Sequence, residues 1–248
     1  MATRVKFFFQ ASLRDFLKPK RRKMPVQVVL QGSPAVRDTI ESLGVPHTEV
    51  RRVIVHSKRV PLAYRLQDKD VVSVWPVRFV SIRRPKFILD VHLGKLARYL
   101  RLCGFDTVYQ NDFTDKEIIR LATKMRGLVL TRDLGLLKHK TLKLGYWLRS
   151  TAPKEQLREV LKKFFLHSRI RPFRICLECN ERLRSVIKKD IVSKIPPRTR
   201  RYFNVFRECP QCHRIYWKGS HYERMRELLT DLRILKSKHA EPARCRSF

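Results

Sequence analysis

Two cysteine pairs constrain this chain more than any other feature. Cys176 and Cys179 enclose two residues, Cys209 and Cys212 enclose two more, and 29 residues separate the pairs. Two such knuckles are the parts of a tetrahedral, all-thiolate zinc site, although the intervening segment is somewhat longer than the usual ribbon spacing. The competing account is four ordinary reduced thiols. Two pairs of identical spacing, followed directly by Asn180 and His213, argue against it. The expected unit is a zinc ribbon over 170–225, with Cys176, Cys179, Cys209 and Cys212 holding a structural Zn2+. The other two cysteines lack such a partner: Cys103 lies in an apolar helical stretch and reads as core, and Cys245 lies in a polar tail.

Charge narrows the partner. Lys and Arg number 56 against 22 acidic residues, a net charge of +34. The segments 1–80, 81–165 and 166–248 each carry more than two basic residues for every acidic one, so the excess is not confined to a tail. A field of this kind condenses on polyanions through phosphate contacts and counterion release, which makes RNA or a ribonucleoprotein the expected partner. No segment combines a strong amphipathic helix with anchoring aromatics, and no apolar run is long enough for a signal segment or a membrane span. The expectation is a soluble, cytoplasmic chain with no membrane partner.

The first eighty residues alternate as a small sheet does. Val5 to Ala11 and Val26 to Leu30 read as a hairpin around a Lys/Arg-rich connection, Ala35 to Leu43 as a helix ended by Gly44, and Val50 to Val55 and Val71 to Val77 as further strands. The order β-β-α-β-β is that of a ubiquitin-like β-grasp, expected over 1–80. The stretch Tyr64 to Val74 resembles the closing strand of sulfur-carrier relatives. Such carriers need a free C-terminal Gly-Gly, whereas here Trp75-Pro76-Val77-Arg78 runs on, so the β-grasp is expected to dock a protein partner instead.

After Arg83-Arg84-Pro85 the rhythm changes. Strands are expected at Lys86 to Val91, Thr107 to Gln110, Gly127 to Thr131 and Leu144 to Leu148, alternating with helices at Gly94 to Cys103, Thr114 to Met125 and Pro153 to Phe165. Such alternation predicts a mostly parallel, doubly wound α/β sheet over 86–166. A basic tail, 226–248, follows the ribbon and is expected to be helical to about Ser237.

In a chain this basic, an aspartate that ends a buried strand needs a reason. Asp90 ends Lys86-Phe87-Ile88-Leu89-Asp90, and Asp133 follows Leu128-Val129-Leu130-Thr131-Arg132. The carboxyl ends of parallel strands are where ligands bind in open α/β sheets. Carboxylates converging there favour a divalent cation, Mg2+ or Mn2+, which orients a phosphodiester and generates hydroxide. The alternative is that Asp90 caps the next helix and Asp133 makes a turn or an ion pair. Asp115 is a further candidate ligand, Glu117 and Asp112 weaker ones, because Thr114 and Glu117 have the spacing of a capping box. His92 reads as a packed or surface side chain.

These residues carry a specific resemblance. Leu89-Asp90 through Gly94-Lys95-Leu96-Ala97-Arg98-Tyr99-Leu100-Arg101-Leu102-Cys103-Gly104-Phe105-Asp106, and then Leu130-Thr131-Arg132-Asp133-Leu134-Gly135-Leu136-Leu137, resemble the Mut-seven carboxy-terminal RNase family. So do Cys176-Leu177-Glu178-Cys179-Asn180, Cys209-Pro210-Gln211-Cys212 and Tyr216-Trp217-Lys218-Gly219-Ser220-His221-Tyr222. The resemblance spans 86–225. It implies a PIN-like nuclease fold with a zinc ribbon, an N-terminal ubiquitin-like domain, and metal-dependent RNA cleavage at Asp90 and Asp133.

Between the knuckles, Lys188, Lys189, Lys194, Arg198, Arg200 and Arg201 are interleaved with Tyr202, Phe203 and Phe206. Basic groups for phosphates beside aromatics for stacking describe an RNA-binding surface. Phe206 and Trp217 are the aromatics most expected to pack the ribbon instead. Two functions follow: an endoribonuclease acting on structured or ribosome-associated RNA, or a protein that binds such RNA on the same fold without cutting it.

Overall fold

The computed structural model describes residues 2–23, 25–77 and 85–231. The linker residues Arg83 and Arg84, Arg78, Cys245 and the helix end expected near Ser237 lie outside them. In chain order the elements are β1 (Ala2–Phe9), β2 (Val26–Gln31), α1 (Val36–Ser42), β3 (Val50–Val55), β4 (Lys58–Val60), β5 (Val71–Pro76), β6 (Lys86–Leu89), α2 (Gly94–Leu102), β7 (Asp106–Val108), α3 (Asp115–Met125), β8 (Leu128–Thr131), α4 (Leu134–Leu137), β9 (Gly145–Trp147), α5 (Pro153–Lys163), β10 (Arg184–Val186), α6 (Pro197–Tyr202), β11 (Phe206–Glu208), β12 (Ile215–Trp217) and α7 (Ser220–Asp231). They divide into two compact units, Met1–His92 with Tyr109–Arg149, and Leu93–Val108 with Ser150–Phe248. None of the described helices is long and apolar enough to cross a membrane.

The first unit opens with a five-stranded sheet in the order β2-β1-β5-β3-β4, with β1 and β5 parallel and the other neighbours antiparallel. This is the ubiquitin-like β-grasp. Strict alternation in β1 sends Val5, Phe7 and Phe9 inward and Arg4, Lys6 and Phe8 outward. Val36 and Ile40, one turn apart on α1, complete the core against Val53, Val72 and Val74. The strand β4 is additional to the expected order. It is reached through His56 and Ser57, which have φ of 43° and 69°. Two consecutive left-handed residues make a tight hairpin turn, and without Asn-Gly or Asp-Gly the sequence carries no signal for it.

The same unit holds the parallel strands β6, β8 and β9, with β8 central. All of β8 is buried, as are Phe87, Ile88 and Leu89 of β6, which is why both read as continuous apolar runs. The helix α3 packs on β6 and β8. The β-grasp meets β9 through the turn His47–Glu49. His47 Nε2 lies 2.9 Å from the Leu142 carbonyl, the Thr48 hydroxyl donates to the Leu137 carbonyl at 3.3 Å, and Glu49 accepts from the Trp147 amide at 2.9 Å. Phe16 packs at a tilt against Trp147 with ring centroids 5.0 Å apart, and Asp15 pairs with Arg149 at 3.1 Å.

In the second unit α2 packs against α5, with Leu96, Leu100, Leu157 and Val160 fully buried. Burial pushes the Cys103 thiol up to about 12, as suits a core thiol. Gly104 ends α2 at φ +88°, and a Cβ there would overlap the Arg171 carbonyl. That close approach lets the Arg171 amide donate to the Cys103 carbonyl at 2.9 Å, fastening the lead-in to the cysteine region. The ribbon is a three-stranded antiparallel sheet, β10-β11-β12, over a core of Ile191, Ile195 and Phe206 with Phe203 and Trp217 against it.

Candidate functional site

The two knuckles repeat one local structure. The Cys176 amide donates to the Glu181 carbonyl and the Cys209 amide to the Arg214 carbonyl; the Asn180 and His213 amides return to the carbonyls of Cys176 and Cys209. Asn180 and His213 sit at φ 64° and 56°, so each knuckle closes through a left-handed residue, which explains their place directly after the motif. The second amide in each pair points at sulfur, Cys179 N to Cys176 Sγ at 3.4 Å and Cys212 N to Cys209 Sγ at 3.5 Å.

These turns bring the ligand atoms of Cys176, Cys179, Cys209 and Cys212 within 4.8 Å of one another, and among the described residues they are the one such group of three or more metal-ligating side chains. Cys176 Sγ and Cys212 Sγ are 3.7 Å apart. That is far longer than a disulfide of about 2.05 Å. It matches the edge, roughly 3.8 Å, of a tetrahedron with Zn–S bonds of about 2.3 Å. Tyr216 approaches the same sulfur at 3.1 Å while accepting from the Leu177 amide. Burial opposes ionisation of Cys176, but hydrogen bonds from the Cys179 amide and Tyr216 bring its thiol down to about 7. Burial, the hydrogen bond with Cys212 and neighbouring sulfur charge push Cys179 up to about 12. Four thiolates side by side therefore need a cation, and the donor set fits a metal such as zinc.

Arg101, which the sequence patterns do not single out, holds the first knuckle. It is 5% exposed and donates from Nε to the Thr107 carbonyl at 2.9 Å and from Nη1 to the carbonyls of Leu177 and Glu178 at 2.9 and 2.7 Å. Asn180 adds a second clamp, accepting from the Thr107 amide at 2.8 Å and donating to Asp106 at 2.6 Å. A lysine presents a point charge and no planar fork. Arg101→Lys is expected to strand buried carbonyls and cost about 2–3 kcal/mol, read as a lower melting temperature with one metal still bound per chain.

The carboxylates lie in the first unit. Asp90 directly follows β6, is 8% exposed, and accepts from the Thr131 hydroxyl at 2.7 Å. The same hydroxyl oxygen accepts from the Asp133 amide at 2.8 Å. Thr131, fully buried at the end of β8, thus joins the two aspartates across adjacent parallel strands. Asp133 is the N-cap of α4, its Oδ1 accepting from the Gly135 amide at 2.7 Å. Asp90 directly precedes the 3-10 turn Val91–Leu93, and the residue at the N-cap of α2 is Leu93. Asp115 is exposed at the first position of α3, and Asp112 is exposed before it. Glu117 closes the expected capping box, accepting from the Thr114 amide and hydroxyl at 2.8 Å each. Those bonds hold its carboxyl below the ordinary value. Asp115 and Glu117 are not brought with Asp90 and Asp133 into a single ligand group.

The basic cluster of the ribbon is partly committed. Lys188 bonds Asn204 at 2.9 Å, Lys194 pairs with Glu208 at 3.5 Å, and Arg200 donates to the Ile195 carbonyl at 2.9 Å. Lys189, Arg198 and Arg201 are exposed, with Arg201 over the ring of the exposed Tyr202. Glu208 is buried yet held below the ordinary carboxylate range, since Lys194, His213 and Arg184 together outweigh its desolvation. The side chain of His221 lies outside what the structure describes.

A ubiquitin-like sheet, a parallel α/β sheet with aspartates at its strand ends and a four-cysteine ribbon together define a nuclease-like class of protein. Residues 85–229 match the family model described as the Mut7-C RNAse domain, and residues 2–81 match the one described as Mut7-C ubiquitin. The chain belongs to the Mut7-C RNAse domain family. No curated protein and no solved structure matches it.

Proposed function

We propose that this chain is a metal-dependent endoribonuclease acting on structured or ribosome-associated RNA. The observation that carries the reading is the pairing of Asp90 and Asp133 through Thr131 at the carboxyl ends of β6 and β8. Asp90 Oδ1 and Asp133 Oδ2 have no hydrogen-bond partner among the described residues. Two free carboxylate oxygens suit Mg2+ or Mn2+, which are commonly held by one or two carboxylates and retain waters for the substrate phosphate. When bound, such an ion supplies hydroxide at neutral pH and stabilises the leaving oxygen.

The protein's own groups do the rest. The Thr131 hydroxyl fixes the Asp90 carboxylate, and the Gly135 amide fixes that of Asp133, so neither must reorganise when phosphate arrives. Lys189, Arg198 and Arg201 neutralise phosphates beside Tyr202, on a ribbon whose cysteines hold Zn2+. A protein that binds RNA without cutting it is favoured by one observation: Asp133 already caps α4. Incubating structured RNA with the purified chain and Mg2+ decides between them. Scission lost in Asp90→Asn supports the nuclease; tight binding with no scission across varied RNAs supports the binder.

A further inference from the structure

The β-grasp sheet has one face packed on its core and one open face, and the open face carries only positive charge. Every charged residue in β1 to β5 is basic and exposed, and cross-strand pairing puts four of them, Arg4, Lys6, Arg52 and Arg59, on the open face. Register places them with two aromatics. Phe8 lies beside Ser73, and Trp75 follows two residues along β5 on the same face. Arg52 is the cross-strand neighbour of Trp75, with its guanidinium 4.7 Å from the ring centroid. Phe8 is 38% exposed and Val71, beside Lys6, 40% exposed, so the face offers apolar as well as charged surface. A bulge between Val50 and Arg52 breaks the alternation of β3, so that Arg51 and Arg52 both face outward. At that edge Arg51, Arg52 and Arg59 are among the residues lining a pocket of about 390 Å3.

We propose that this open face is a second nucleic-acid site, binding single-stranded RNA by stacking bases on Phe8 and on the Arg52–Trp75 pile while Lys6 and Arg59 take the flanking phosphates. Charge complementarity excludes a basic or neutral partner. An acidic protein would meet the same charge, but it does not account for Phe8 and the Arg52–Trp75 pair sharing one face of the sheet, aromatic platforms on which any base can stack. The site goes beyond the proposed nuclease centre and needs no catalysis, so it is tested by binding in magnesium-free buffer.

The probe is a fluorescein-labelled oligouridine of about 12 nucleotides, within the span that a single sheet module covers, followed by anisotropy with the full chain. Phe8→Ala is expected to weaken binding about tenfold, the scale of losing one stacked base. Arg52→Glu, at a fully surface position, is expected to weaken it at least as much with an unchanged melting temperature, which guards against a folding defect in Phe8→Ala. A 4-thiouridine version of the oligonucleotide is expected to crosslink to peptides of β1 or β5. Affinity unchanged in both variants, or crosslinks confined to 188–206, would overturn the proposal. Poly-glutamate competing as well as oligouridine at equal charge would also overturn it, reassigning the face to an acidic protein.

Discussion

Replacing Cys209 by serine is expected to release the metal and unfold the ribbon, exposing 170–225 to protease while the β1–β5 sheet stays protected. The reason is the size of the ribbon's own core. Ile191, Ile195 and Phe206 form its buried cluster, with Ile170, Ile175 and Leu177 also buried, each stabilising by about 1.5–3 kcal/mol. Ordering the backbone of the module costs about 1–2 kcal/mol per residue, so the burial alone falls far short. Metal coordination in modules of this size supplies about 10 kcal/mol or more, and it does so as folding free energy. Cys176→Ser is expected to behave alike, with the further loss of the thiol that the Cys179 amide and Tyr216 bring down to about 7. Metal analysis should fall from one ion per chain to none. A variant with unaltered protease resistance and melting temperature would show that the four sulfurs are a folded cluster without need of an ion.

The second large effect concerns Asp133, whose two oxygens have separable roles. Asparagine is as good an N-cap as aspartate, so Asp133→Asn should keep the bond from Gly135 and leave stability nearly unchanged. It removes the charge that faces phosphate. Cleavage is therefore expected to drop by roughly 10²–10³-fold or more, the scale of losing one group that stabilises developing charge. RNA affinity should stay level or rise, because one repulsive charge is gone. Asp133→Ala should show the same loss of cleavage together with about 1 kcal/mol of destabilisation from the missing cap. If both variants differed from wild type only in stability, Asp133 would be a helix cap and nothing more.

What the sequence made legible were patterns carried by neighbouring residues. The knuckles, the apolar runs of β6 and β8 and the Thr114–Glu117 capping box all appear in the structure, because spacing alone encodes them. The bland alternatives were also legible: Phe206 and Trp217 do pack the ribbon. What stayed hidden depends on contacts far apart in the chain. Nothing local marks Arg101 as the support for carbonyls 76 and 77 residues away. Thr131 looks like any strand threonine until β6 and β8 pair and set its hydroxyl between two aspartates. Nor does any sequence pattern mark His47, which reaches a carbonyl 95 residues along. Short elements were lost for a different reason: β4 follows a turn without glycine, and α4 is only four residues long.

The most direct measurement is the rate of scission of one structured RNA by the zinc-loaded wild-type chain as Mg2+ is titrated, with Asp90→Asn alongside. Scission that is absent without Mg2+, rises to saturation with it and vanishes in Asp90→Asn is the predicted result. Equal scission by both proteins, or scission indifferent to Mg2+, would contradict a nuclease centre built on Asp90 and Asp133.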